Sequence, residues 1–284
     1  MSIDAKRGLA SAAFVALLIL SVFWPSPVTA VNTICCQAHL TVDDLSFLGR
    51  EAPSWDVVFW CIAGLLALAM LKDVRDIRLT WVRPRFGLGM AIAIVVSALA
   101  VAGIWMFIDA PMTALSERVA TDSVQDWIRL ANRFGGGMNP VMIIGFFLIA
   151  GLAYARPLWV RHAIQMAIAG AAAGIIVQIV KFAVARTRPE LWLGPFQHAR
   201  SSASSFPSGH TVGAFALAGV LILNSESKTM RVVAALLAIA VAVSRVLAFR
   251  HWTSDVTASA AIGILAAWVL SDHRRDTEGT EVSL

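Results

Sequence analysis

Residues 163–181 have the sequence AIQMAIAGAAAGIIVQIVK, an apolar run without a charged side chain until Lys181. As a helix, such a run is long enough to cross a ~30 Å hydrocarbon core. Comparable windows recur along the chain, and they predict an all-α, polytopic transmembrane helical bundle with eight spans. The windows lie at 8–25, 54–71, 86–108, 139–155, 163–181, 209–224, 232–250 and 255–271.

The composition agrees with a membrane location. Hydrophobic residues make up 58% of the 284 residues and charged residues only 14%, which excludes an ordinary soluble domain. The net charge is +5, but the basic residues are spread over alternate loops and not gathered in one patch. This distribution follows the positive-inside rule. We therefore expect no nucleic-acid partner and a cytoplasmic location for the basic loops.

The first window has two interpretations. Lys6, Arg7, an apolar run and the small residues at 28–30 are also typical of a secretory signal with its cleavage site. A retained span and a removed signal give the same orientation for the rest of the chain. Cys35 and Cys36 follow in a loop where a vicinal disulfide, an intermolecular bond and free thiols all remain open.

The loop at 109–138 contains apolar residues at roughly helical spacing. We expect an amphipathic helix there, either lying in the membrane interface or packed on the protein surface. Gly135-Gly136-Gly137 ends this helix before Pro140 opens the next span. The apolar residues are Leu115, Val119, Val124, Trp127, Ile128 and Leu130.

Three polar clusters interrupt the last third of the chain. In the first, Lys181 and Arg188 are two helical turns apart, so we expect both to project from one side of the fifth span before Pro189 stops the helix. In the second, Pro207-Ser208-Gly209-His210 begins the next span, where helix N-terminal N–H groups favour an anion. Each residue also has a simple structural interpretation, as a membrane anchor or a helix cap.

The third cluster is Ser244-Arg245 followed by His251 and Asp255. A spacing of four puts His251 and Asp255 on one helical face if the helix continues there. A carboxylate so placed can accept the proton of one imidazole nitrogen and leave the other nitrogen free to attack. The alternative is a structural hydrogen bond at a helix start, with Asp255 as a cap. Together, the clusters hold the groups needed to bind a phosphate and transfer it through a histidine.

The motifs Lys181-x6-Arg188-Pro189, PSGH at 207–210 and Ser244-Arg245-x5-His251-x3-Asp255 resemble the signature of the type 2 phosphatidic acid phosphatase (PAP2) superfamily. That superfamily includes membrane lipid phosphatases, bacterial acid phosphatases and vanadium haloperoxidases. The helices between 86 and 271 resemble its six-helix core. The resemblance thus implies an N-terminal hydrophobic extension at 1–85 with one or two helices, a catalytic core at 86–271 and a polar tail at 272–284.

The resemblance implies a role for each matching residue. His251 would attack phosphorus and form a phosphohistidine, Asp255 would hold its ring, and His210 would protonate the leaving oxygen and later activate water. Arg186 and Arg250 are further nearby cations with weaker claims, and neither a metal nor a cofactor is implied. The phosphate-binding residues would be Lys181, Arg188, Ser208, Gly209 and Arg245.

An amino terminus inside the cell would put all three clusters on the non-cytoplasmic face, which is the periplasmic face of a bacterial inner membrane. We therefore expect a metal-independent hydrolase for a lipid phosphate or diphosphate, with loop 190–206 as a rim over the site. Undecaprenyl pyrophosphate, phosphatidylglycerol phosphate, phosphatidic acid and lipid A 1-phosphate are all candidate substrates. A lipid-to-lipid phosphotransferase, a vanadate-dependent haloperoxidase and a non-catalytic phosphate-binding membrane protein remain alternatives, and the oligomeric state is left open.

Overall fold

A computed structural model of the chain describes residues 86–119, 121–135, 139–198 and 204–271. The regular elements in these ranges are helices, so the prediction of an all-α fold is confirmed. The predicted spans at 8–25 and 54–71, the three cysteines and the tail at 272–284 lie outside the described residues. The helices are α1 (Leu88–Phe107), α2 (Asp109–Val119), α3 (Asp122–Gly135), α4 (Asn139–Ala153), α5 (Pro157–Val184), α6 (Gly209–Asn224), α7 (Lys228–Leu247) and α8 (Thr253–Val269), with a short 3₁₀ helix at Pro189–Leu191.

Three helices, α1, α5 and α7, are long and apolar enough to cross a membrane. Helices α4, α6 and α8 are also apolar but have only 15, 16 and 17 residues, fewer than the ~20 residues of a typical span. These six helices coincide with the predicted windows between 86 and 271, which confirms the transmembrane bundle. The first turn of α6 is capped by the Ser208 hydroxyl, which accepts from the Thr211 N–H. At the start of α8, the Asp255 carboxylate accepts from the backbone N–H of Trp252.

Two helix ends differ from the predictions. Helix α5 stops at Val184, because Ala185 adopts a left-handed conformation with φ of 50°. Arg188 therefore lies in a loop and does not share a helical face with Lys181. Helix α8 begins only at Thr253, so His251 precedes it.

The segment 109–138 forms two helices, α2 and α3, where one was predicted. Helix α3 packs against α6 and α7, and it buries Ile128 while Trp127 and Leu130 remain partly exposed. Of the two predicted interpretations, a helix packed on the protein surface therefore describes the face of α3 that carries Ile128. Helix α3 ends at Gly135, and Pro140 is the second residue of α4, as predicted.

The described residues belong to two compact units. In the first, residues 142–163, the rings of Phe146, Phe147 and Trp159 lie 5.6–6.3 Å apart between centroids. In the second, residues 86–141 and 164–271, helix α6 lies against α7 and α8, and α1 lies against α8. The three polar clusters all lie in this second unit.

Helices α6 and α8 approach closely because glycines face small residues at their crossing. A Cβ added at Gly263 would lie 2.7 Å from the backbone nitrogen of Ala216, and one added at Gly219 would lie 2.8 Å from the Cβ of Ala267. Small residues at a crossing let two helix backbones meet in a membrane. The close contact fixes α6 and α8, whose first turns carry His210 and Asp255.

Candidate active site

The three polar clusters meet because each lies at the end of a helix in the second unit. Lys181 is in the last turn of α5, His210 is the second residue of α6, and Arg245 is in the last turn of α7. His251 lies in the loop between α7 and α8. The imidazole of His210 interacts electrostatically with Lys181, Arg188, Arg245 and His251. The structure therefore brings together residues of all three predicted motifs.

The backbone of the first cluster is hydrogen-bonded to the other two. The carbonyl of Arg186 accepts from the N–H of Ser205 at 2.7 Å, two residues before the second cluster begins. The carbonyl of Thr187 accepts from the indole N–H of Trp252 at 2.8 Å, next to His251. These bonds fix the loop after α5 relative to the starts of α6 and α8.

His251 is buried, and its Nδ1 lies 2.8 Å from the carbonyl oxygen of Ser205. Since a carbonyl only accepts, Nδ1 must donate, and in the neutral ring the lone pair then lies on Nε2. Asp255 Oδ2 lies farther from Nδ1, at 3.7 Å. Burial lowers the pKa of His251, and the neighbouring Asp255 carboxylate partly opposes this shift. The ring is therefore held neutral, and its Nδ1–H donates a hydrogen bond to the Ser205 carbonyl.

Asp255 acts on the loop around His251 more than on the ring itself. Its carboxylate accepts hydrogen bonds from the backbone N–H of Trp252 at 2.8 Å, from the Ser205 hydroxyl and from Arg186 Nη1 at 2.6 Å. The bond to Trp252 is the capping contact that was the alternative interpretation. The carboxylate thus holds Ser205, whose carbonyl accepts the hydrogen bond from His251 Nδ1–H.

Arg186 is fully buried, and each nitrogen of its guanidinium donates to another group of the protein. Its Nε donates to the Pro195 carbonyl at 2.9 Å, and its Nη1 donates to the Ser254 hydroxyl at 2.7 Å and to Asp255. Its Nη2 donates to Asp109 at 2.6 Å. Arg186 was a weak candidate for phosphate binding, and these contacts assign its donors to the protein instead.

Asp109, the first residue of α2, is a buried carboxylate that sequence reasoning missed. It accepts from the backbone N–H of Ser254 at 2.8 Å, from the Ser254 hydroxyl at 2.6 Å and from Arg186. Burial raises the pKa of Asp109, and the hydrogen bonds from Ser254 and Arg186 oppose that shift. The available signal was a carboxylate directly after the apolar window 86–108. Ser205 was also missed, although it lies two residues before the PSGH motif.

The candidate cations of the first cluster have few protein partners of opposite charge. Lys181 Nζ donates to the Ser204 carbonyl at 2.8 Å. Arg188 lies 3.4 Å from Glu190, and in the described part of the chain its buried Nε has no hydrogen-bond acceptor. Arg250 pairs with Glu190 at 3.0 Å and is about half exposed. Lys181 and Arg188 are therefore suited to bind an anion, whereas Arg250 lies nearer the solvent.

The start of α6 offers backbone donors beside these cations. Ser208 caps the helix, and its hydroxyl oxygen accepts from Thr211 N–H at 3.4 Å and from the Thr211 hydroxyl at 3.0 Å. A hydroxyl that accepts still has its own proton to donate. Gly209 is exposed, and no heavy atom lies within 4 Å of a Cβ added there. An anion can therefore approach the first N–H groups of this helix.

Comparisons with known proteins agree with the motifs. The family model of the PAP2 superfamily matches residues 162–276. The lipid A 1-phosphatase of Porphyromonas gingivalis is 33% identical over 132 residues, 44% of this chain, and the match spans only 28% of that relative's length. The crystal structure of a transmembrane PAP2-type phosphatidylglycerolphosphate phosphatase from Bacillus subtilis aligns with a TM-score of 0.53 at 19% identity, over 68% of this chain and 97% of that one. The last comparison establishes a similar fold.

Proposed function

We propose that this chain, whose residues 162–276 match the family model of the PAP2 superfamily, is an integral membrane phosphatase that hydrolyses the phosphate or diphosphate of a lipid through a phosphohistidine at His251. The observation that carries the proposal is the 2.8 Å contact between His251 Nδ1 and the Ser205 carbonyl. Because that carbonyl accepts a hydrogen bond from Nδ1–H, the neutral ring carries on Nε2 the lone pair that a nucleophile needs.

In the first half of the reaction, Nε2 of His251 attacks phosphorus and the bond from phosphorus to the leaving oxygen breaks. His210 donates a proton to that oxygen, which leaves as a lipid alcohol or a lipid monophosphate. In the second half, His210 takes a proton from water while the water oxygen attacks phosphorus. The P–N bond then breaks, inorganic phosphate leaves, and His251 regains its lone pair.

The phosphate oxygens would be bound by the cations and backbone donors around His210. Fixed positive charges stabilise the negative charge of an in-line phosphoryl transfer without reorganising during the reaction. In this proposal the cations supply the charge stabilisation that a metal ion supplies in many phosphoryl-transfer enzymes, so no metal is required. The binding groups are Lys181, Arg188, Arg245, the Ser208 hydroxyl and the N–H of Gly209.

A lipid substrate fits the membrane location of the site. The site lies at the ends of apolar helices, so a lipid whose tail stays in the bilayer can present its headgroup there. The distribution of basic loops supports a site on the non-cytoplasmic face, which is the periplasmic face in a bacterial inner membrane. The named activity of the Porphyromonas gingivalis relative puts lipid A 1-phosphate in the substrate panel, beside undecaprenyl pyrophosphate, phosphatidylglycerol phosphate and phosphatidic acid.

The test is the release of inorganic phosphate from these four lipids by detergent-purified protein with EDTA present. We expect release from at least one lipid, and its loss in His251→Ala. Release that requires added divalent metal, or that survives in His251→Ala, would contradict the proposed mechanism. If an added acceptor lipid suppresses release and becomes phosphorylated, the protein is a phosphotransferase that uses the same residues.

A further inference from the structure

We infer that Arg186 and Asp109 are positioning residues that hold the loop of the nucleophile His251 in its reactive arrangement. The inference rests on the proposed function, because a fixed imidazole matters only if it attacks phosphorus. Neither residue is among the phosphate-binding or catalytic residues assigned above. Asp109 also lies outside the segment 162–276 that matches the family model.

One guanidinium joins two buried carboxylates from distant parts of the chain. Arg186 Nη2 lies 2.6 Å from Asp109, and Nη1 lies 2.6 Å from Asp255, with all three side chains fully buried. A planar guanidinium presents its donors in fixed directions, so it sets the separation and orientation of both carboxylates. Arg186 also compensates the negative charge of Asp255. A buried carboxylate without a compensating positive charge is very unfavourable.

Asp109 extends this contact to the start of α8. It accepts from both the backbone N–H and the hydroxyl of Ser254, the second residue of that helix, whose N–H has no partner within the helix. The guanidinium carbon of Arg186 also lies 3.9 Å from the ring centroid of Trp105 and 5.0 Å from that of Trp252. Arg186 is thus enclosed between aromatic rings and carboxylates.

The network reaches the nucleophile by two routes that meet at Ser205. Arg186 accepts the Ser205 N–H with its carbonyl at 2.7 Å, and it holds Asp255, which accepts the Ser205 hydroxyl. The Ser205 carbonyl in turn accepts a hydrogen bond from the Nδ1–H of His251. A shift of Arg186 would therefore move the group that fixes the imidazole, and a displacement of about 1 Å costs on the order of 100-fold in rate.

Arg186→Lys tests the inference, because lysine keeps the positive charge but has a single ammonium that cannot bridge the same partners. The measurements are kcat, KM and the inhibition constant of inorganic phosphate, all with a lipid of the panel from which the wild type releases phosphate. The kcat is calculated per active site, counted by titration with vanadate, an analogue of phosphate. We expect kcat to fall by about 10–100-fold while the inhibition constant stays within about two-fold. Arg250→Lys, at a half-exposed arginine paired with Glu190, is the matched control and should leave both values within about two-fold.

Ser254→Ala is the second variant, and it decides the question if Arg186→Lys does not fold. It removes the hydroxyl that Asp109 and Arg186 share but retains both charges. We expect kcat to fall by about 3–10-fold, which corresponds to the net contribution of a typical intramolecular hydrogen bond, with the phosphate inhibition constant unchanged.

Two results would overturn the inference. An inhibition constant for phosphate that rises together with the loss of kcat in Arg186→Lys would make Arg186 a phosphate ligand. Wild-type kcat in Arg186→Lys, or in Ser254→Ala if Arg186→Lys does not fold, would show that the network does not position His251. Failure of the proposed function is distinguishable, because in that case the wild-type protein releases no phosphate or His251→Ala retains full activity.

Discussion

Replacing Asp255 by Asn should destabilise the protein as well as inactivate it. The carboxylate accepts hydrogen bonds from Arg186, Trp252 and Ser205. An amide of the same size has one accepting oxygen and one donating NH₂ group, so at least one of these buried donors would face another donor. The substitution also removes one of the two negative charges beside Arg186.

The size of the effect follows from the burial of the pair. Removing one partner of a buried ion pair costs about 3–5 kcal/mol, because the remaining charge stays buried without compensation. Arg186 keeps its contact with Asp109, so we expect the lower end, about 3 kcal/mol. At about 2–4 °C per kcal/mol, the unfolding midpoint should fall by roughly 6–12 °C.

The assay is thermal unfolding in detergent, followed by tryptophan fluorescence, with His251→Asn as the matched control. The asparagine of that control can place an N–H near the former Nδ1 position, so it loses at most one neutral hydrogen bond, about 1 kcal/mol. Both variants should be inactive, but only Asp255→Asn should show the large drop in midpoint. Equal midpoints for the two variants would refute the assignment of Asp255 to the buried network.

Three further predictions concern His251, Gly209 and Glu190. Burial lowers the pKa of His251 below its unfolded value of about 6.5, so the neutral ring stabilises the fold above that pH and the stabilisation is lost as the pH falls. The unfolding midpoint of the wild type should thus drop more between pH 7.5 and pH 5 than that of His251→Asn, and equal drops would exclude this linkage. Gly209→Ala should keep the unfolding midpoint within about 2 °C, since the methyl group meets no neighbour. Its kcat/KM should fall by about ten-fold, because the methyl group blocks the approach of the anion to the helix N-terminus. Full activity of this variant would show that the phosphate does not bind there. Glu190→Gln should lower KM by about two- to five-fold, because Arg188 is then no longer paired with a carboxylate. This change is the equivalent of ~1 kcal/mol or less, as expected for a partly exposed ion pair. An unchanged or higher KM, measured by initial rates, would count against Arg188 as a phosphate ligand.

The transmembrane helices could be predicted because a backbone in a bilayer must satisfy its own hydrogen bonds. The apolar window 86–108 therefore forms one helix, Leu88–Phe107. The helix after Lys181 was predicted to continue to Arg188 because nothing in the residue types marks its end. The left-handed conformation at Ala185 is usually adopted by glycine, and tertiary contacts of the following loop stabilise it instead.

The residues of the three motifs could be placed together from the order of the spans, but the contacts among them could not be predicted. The hydrogen-bond acceptor for His251 Nδ1–H is the main-chain carbonyl of Ser205, a group that every residue carries. Arg186 and Asp109 are 77 positions apart, and several other charged residues also flank apolar windows. Which of them pair depends on the path of the loops, and periodicity and composition do not encode that path.

The most direct test of the phosphohistidine mechanism is to identify the residue that becomes phosphorylated during turnover. A ³²P-labelled lipid substrate is mixed with the detergent-purified protein, the reaction is quenched in base within milliseconds to preserve phosphohistidine, and the labelled peptide is mapped by mass spectrometry. The proposed mechanism predicts an acid-labile, base-stable phosphate on His251 that is absent from His251→Asn. A label on any other residue, or turnover by His251→Asn at the wild-type rate, would contradict it.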